Sequence, residues 1–376
     1  MRLITNRNDY KPSKLELLGV SYLNKFRITS SNHNAFQFSD IELKQKINRI
    51  KMVGILLSAL VSIVCIFPTV WVDIYYTNES FLKHYGYLGV VTLASIIIEF
   101  YLLFLIAMQV VHRVGEIINI HATQSELLNN QIFGVKNILA RTALEISDPD
   151  LLILGIDPFK RINKRNLLII GLFYKAKITL TNFVLKWILK NSTGDTVFGI
   201  SILYEAIIVE IFWNCLVIIR VVKEARFRLF GFALANEIAV KLIQQHIVES
   251  LSAEAKEGCM RAIGNTIVMT KNYHPNMIIL FLRFQDLLKI TEAKNYDSLD
   301  LFLETLGKVS LKERLYLLKL FTIAASFDGA ISKLENQNLE KIYGNDYATF
   351  YPMLRQLTAH LNKGELNAAL ELCHLE

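Results

Sequence analysis

Five ionisable residues sit inside otherwise apolar runs of the chain: Glu99, Lys175, Lys177, Glu205 and Glu210. A charge at the centre of a bilayer costs about 2.5 to 3.5 kcal/mol on insertion scales, so such groups pair with one another or face a water-filled route. Two chemistries are therefore open. One is a proton or ion pathway through this layer. The other is a set of interhelical ion pairs, Lys175 or Lys177 with Glu210, and Glu99 with Glu205 or a lysine. Three acids against two lysines leave one carboxyl over, and a proton on that group would make it a hydrogen-bond donor between helices.

The elements that must position these groups are four apolar runs. Residues 52–72 contain no charge, 85–111 are interrupted by Glu99, 167–189 carry Lys175, Lys177 and Lys186, and 197–219 carry Glu205 and Glu210. The first spans roughly 31 Å at about 1.5 Å per residue, the thickness of a hydrocarbon core. Counted from the cytoplasmic ends of the runs, the five charges fall within about 9 Å of one another along the membrane normal. Composition agrees, with 52% hydrophobic residues, 20% charged residues and a mean hydropathy of +0.33. Four cysteines in 376 residues exclude a secreted disulfide framework. The expected fold is all-α: a four-helix transmembrane bundle of two hairpins, followed by a soluble helical domain.

Charge sets the orientation. Before Ala239 the chain holds 26 basic and 18 acidic residues, and from there to the end 15 and 16. The surplus flanks the apolar runs, so it reads as membrane topology rather than as a nucleic-acid surface. Ten Lys and Arg precede Met52 and seven lie in 112–166, whereas Lys83 alone lies in 73–84. Both termini and the connector 112–166 are expected in the cytoplasm of a multi-pass inner-membrane protein. Trp71, Tyr75, Tyr76, Tyr85, Tyr87 and Trp187 mark the outer boundary. Lys160, Arg161, Lys164 and Arg165 read as a collar facing lipid headgroups. His112, Glu116 and His121 are of metal-ligand type, but the spacing from Glu116 to His121 fits one helical face poorly, and they read as surface residues. Residues 1–51 form a cytoplasmic segment and 52–230 the transmembrane domain. A pore built from so small a bundle would need several subunits, so a homo-oligomer is expected.

From about residue 239 to 376 the pattern becomes amphipathic helices of balanced charge, with Ile263, Ile267, Leu315, Leu318, Phe321 and Leu339 among the expected core. The chain has no Gly-rich phosphate loop, no nucleophile elbow, no His-Glu-x-x-His and no Cys-x-x-Cys. Nothing in it nominates an enzyme. Residues 303–343 hold a helix with Ala324 and Ala325 before a break at Asp328-Gly329, then Glu335 seven residues after the aspartate. This pattern resembles the TerB-like family of tellurite-resistance domains. The resemblance implies a helical fold, a connection to envelope or metal stress, and divalent metal on Asp328 and Glu335. Taken from the residues alone, the same stretch is a helix-to-helix turn, with Gly329 left-handed past a helix end and Ser332 to Glu335 as a capping box. The expected function is a membrane-anchored binding or sensing platform with a cytoplasmic protein partner. The alternative is an oligomeric ion channel or transporter that uses the charged layer and is regulated by the cytoplasmic domain.

Overall fold

The computed structural model describes residues 14–24, 35–76, 78–118, 140, 198–244, 247–270, 274–290, 294–331 and 333–375. No strand occurs among them. In chain order the helices are α1 (Lys14–Leu23), α2 (Asp40–Tyr75), α3 (Phe81–Ile118), α4 (Phe198–Gln244), α5 (Ile247–Ser250) and α6 (Ala253–Met269). They continue with α7 (Pro275–Leu287), α8 (Leu299–Lys308), α9 (Leu311–Ser326), α10 (Lys333–Tyr343), α11 (Tyr347–Lys363) and α12 (Leu366–Leu372). The chain divides into two compact units. One comprises Arg49–Val110 and Ile162–Val222, the other Met1–Asn48, Val111–Arg161 and Lys223–Glu376.

The first unit is built on helices long enough to cross a membrane. At its start α2 is capped reciprocally, Ser39 N–H donating to Glu42 Oε2 at 3.0 Å and Glu42 N–H donating to Ser39 Oγ at 3.3 Å. It then runs for 36 residues, and α3 for 38. Both are long and apolar enough to span a bilayer, yet only 22% and 11% of their most apolar windows are buried within the chain. A core helix of a water-soluble fold would be covered. Here the outward side chains are Leu56, Phe67, Val90 and Phe100, the last 71% exposed, which is the surface lipid requires. The fourth expected run, 197–219, forms the first part of α4, a helix of 47 residues without a break. α2, α3 and α4 meet closely at Gly54, where a Cβ would lie 2.9 Å from Ile218 Cγ2 and 3.0 Å from Val110 Cγ2. The third expected run, 167–189, lies outside the described residues.

The second unit has an ordinary apolar interior. Phe302 stacks on Phe321, with centroids 5.8 Å apart, Phe321 meets Tyr343 edge-on at 5.9 Å, and Tyr343 stacks on Phe350 at 5.6 Å. This ladder joins α8, α9, α10 and α11. Local sequence sets the helix ends: Ser252 caps α6, His274 caps α7 before Pro275, Ser298 caps α8, and Ser310 with Glu313 forms a capping box on α9. Gly307 lies inside α8, which continues to Lys308. The unit also begins earlier in the chain than the change in amphipathic pattern near 239 marks. Phe227, Phe230, Phe232, Leu234 and Ile238 of α4 are buried in protein, and hydropathy alone does not distinguish burial in protein from burial in lipid.

Candidate functional site: a polar cluster among apolar helices

Two residue pairs at i,i+4 spacing create a polar stripe on otherwise apolar helices: Ser58 and Ser62 on α2, and Glu210 and Asn214 on α4. Residues so spaced share a helix face, and in the structure both stripes point inward, towards Glu99 of α3. Ser58 and Ser62 are fully buried, and Glu99 and Asn214 are each 8% exposed. The Asn214 amide donates to Ser62 Oγ at 2.8 Å and also to Glu99 Oε1. Ser62 in turn donates to the Ser58 carbonyl at 3.0 Å, and Ser58 donates to the Ile55 carbonyl at 2.9 Å. Cys215 lies beside this chain, its sulfur 3.8 Å from Ser58 Oγ. Glu210, one turn before Asn214, lies beside Glu99.

The cluster thus links three helices through five side chains, Ser58, Ser62, Glu99, Glu210 and Asn214, with hydrogen-bond partners for Ser58, Ser62, Glu99 and Asn214 inside the chain. That satisfies the condition for keeping such groups in hydrocarbon, where no water is at hand to replace a missing partner. Of the charged layer expected from sequence, the structure brings Glu99 and Glu210 together. Glu205 lies on α4 with its side chain outside the described residues, as do Lys175 and Lys177. The collar of Lys160, Arg161, Lys164 and Arg165 also lies outside them. Sequence reasoning centred on charge missed Ser62 and Asn214. Their signal was the i,i+4 recurrence of neutral polar residues in apolar runs.

In the second unit, residues 224–231 of α4 are held from three directions. Glu224 accepts from Arg228 Nε at 2.7 Å and from His274 Nε2 at 3.2 Å. His274 Nδ1 accepts the Asn276 amide proton at 3.2 Å, which assigns the ring proton to Nε2. Asn276 donates from its side chain to the Phe227 carbonyl at 3.0 Å. Arg226 donates to the carbonyls of Asn362 and Lys363, at the C-terminal end of α11 where the helix dipole favours a cation. Asn362 donates to the Gly329 carbonyl at 2.6 Å. Gly329 has φ +75, and a Cβ there would lie 2.7 Å from the Phe227 ring. Both reasons require glycine at that turn.

Asp328, beside it, accepts from Thr270 Oγ1 at 2.8 Å and from the Ala330 amide at 3.0 Å. Burial pushes its carboxyl up to about 6, against the lowering effect of those two donors. Glu335, 3% exposed, lies on α10 beside Thr266, Met269 and Leu339. Divalent cations such as Ca²⁺ take six to eight oxygens. Among the described residues no three His, Cys, Asp or Glu side chains converge in a way that could hold a metal ion. Asp328 and Glu335 belong to no such group. His112 Nε2 pairs with Glu116 at 3.4 Å along one helix face, and His121 lies outside the described residues.

No family model, curated protein or solved structure matches the chain.

Proposed function

We propose that the chain is a multi-pass inner-membrane protein of four transmembrane helices, with both termini cytoplasmic. It presents a TerB-like helical domain as a binding or sensing platform in the response to envelope or metal stress. The observation that carries this reading is α4. Asn214 and Glu210 of this one helix take part in the polar cluster of the membrane unit, and residues 224–231 of the same helix are gripped by the Asp328-Gly329 turn, α7 and the end of α11. The closed hydrogen bonding of Glu99, Ser62 and Asn214 supports an anchoring role for the intramembrane polar groups.

The second reading is an oligomeric channel or transporter. It is favoured by the pairing of Glu99 with Glu210, an arrangement that proton routes also use. The deciding measurement is ion flux in liposomes under an applied potential, comparing wild type with Glu99→Gln at matched helicity. The platform reading expects no flux of protons, monovalent cations or anions from either protein. Flux carried by wild type and lost in Glu99→Gln overturns it in favour of the channel.

A further inference from the structure

The last helix of the chain, α12, has seven residues and no side-chain cap of its own. Helices shorter than about 12–15 residues are marginal in isolation. Its cap comes from 327 positions away in the chain. Asp40, the first residue of α2, accepts from the Asn367 amide at 2.9 Å and from the Ala368 amide at 3.2 Å. The Asn367 side chain donates as well, to the Phe38 carbonyl at 2.7 Å. One turn further along α2, Lys44 pairs with Glu365 at 2.6 Å, and Glu365 also accepts from His360 Nδ1 at 2.6 Å. Lys44 and His360 together hold the Glu365 carboxyl down at about 2. Ala35, Leu43 and Ile47 bury the same stretch of chain on its apolar side. Beyond α12, Cys373 and Leu375 are buried next to Ile238 and Leu242 of α4. One short helix therefore touches the start of α2 and the end of α4.

We infer that α12 is a strap whose folding is coupled to the seating of residues 35–47. While Asp40 occupies its N-terminus the strap is helical and holds α2 against the C-terminal hairpin; when that segment leaves, residues 366–372 lose their helix and Cys373 leaves its seat on α4. The strap converts a movement of the first membrane helix into exposure of the C-terminal tail. The coupling rests on the contacts of residues 35–47 with α12; the membrane placement of α2 rests on the proposed function.

The test uses the full-length protein in nanodiscs and follows maleimide labelling of Cys373 and of Cys259, which is buried in α6, by peptide-resolved mass spectrometry. Removing an N-terminal cap shifts a local opening equilibrium by about fivefold. Asp40→Ala and Asn367→Ala should each raise the Cys373 rate by about that factor while the Cys259 rate stays as in wild type. Asp40→Asn, which keeps an acceptor at the same place, should fall between Asp40→Ala and wild type. An unchanged Cys373 rate in both alanine variants overturns the inference, and so does a parallel rise at Cys259, which would report general loosening.

Discussion

In the unit containing Arg49–Val110, the outward side chains include Leu56, Phe67, Val90 and Phe100, and the inward ones include Ser58, Ser62, Glu99 and Asn214. In the helical unit the arrangement is reversed. Phe302, Phe321 and Tyr343 are interior, and the hydrogen bonds and ion pairs described above cluster at helix ends. The difference is the one that a change of surrounding medium from water to lipid would produce. In water the driving force is removal of apolar surface. In lipid that term vanishes between helices, and close packing plus internal hydrogen bonds must hold them together. A residue type therefore has a different energetic meaning in each unit, and substitutions that ignore this should give opposite results.

The largest contrast is expected from phenylalanine. Phe321→Ala removes a side chain 1% exposed and stacked on Phe302, and should cost about 3–5 kcal/mol in denaturant unfolding of the helical unit. Phe100→Ala, at a position 71% exposed, should change stability by less than about 0.5 kcal/mol. Comparable losses at the two sites would mean that Phe100 is covered by protein, and the contrast between the units would fail.

A smaller effect sharpens the account of the helical unit. Asp328 is raised to about 6 by burial. A carboxyl raised in the folded state contributes stability that is fully present below its unfolded value, near 4, and is lost as pH rises through its folded value. Between about pH 4 and pH 6 wild type should therefore lose on the order of 2 kcal/mol relative to Asp328→Asn. The variant should be the more stable protein at pH 7. Melting curves of both across this range decide it; a difference that does not vary with pH would show that Asp328 is not held in its neutral form by the fold.

The smallest effect tests the unit that contains Arg49–Val110. A double-mutant cycle on Asn214→Ala and Glu99→Gln should return a coupling of about 0.6 to 1.7 kcal/mol when unfolding is measured in a bilayer or in micelles. A coupling near zero would remove the polar cluster as a tie between α3 and α4 and leave packing at Gly54 as the main bond among these helices.

Much of the architecture was legible from residues close together in the chain. Helical periodicity and the charge-free run 52–72 report local physics, and the structure places helices on them; the capping box read at Ser332 to Glu335 starts at a residue outside the described ones. Leu315 shows where this stops. Its spacing from Leu318 and Phe321 suggested a core position, yet it is 39% exposed, on the face it shares with Leu311. Periodicity identifies a face but does not tell whether another element covers it. The candidate site was legible in part, because Glu99 and Glu210 stand out as charges in apolar runs. Ser62 and Asn214 do not stand out in this way, since neutral polar residues occur in most helices.

By itself the sequence determined the helices, their membrane-length apolar runs and the glycine turn at Gly329, because each depends on neighbours within a few residues. Tertiary structure alone decided that Asn214 meets Glu99 across 115 positions and that Asp40 caps α12 across 327. Such pairings depend on which helices pack together and in what register. A local pattern does not encode that choice, because the same serine, asparagine or aspartate satisfies its hydrogen bonds with whichever partner the packing of the apolar faces brings within reach.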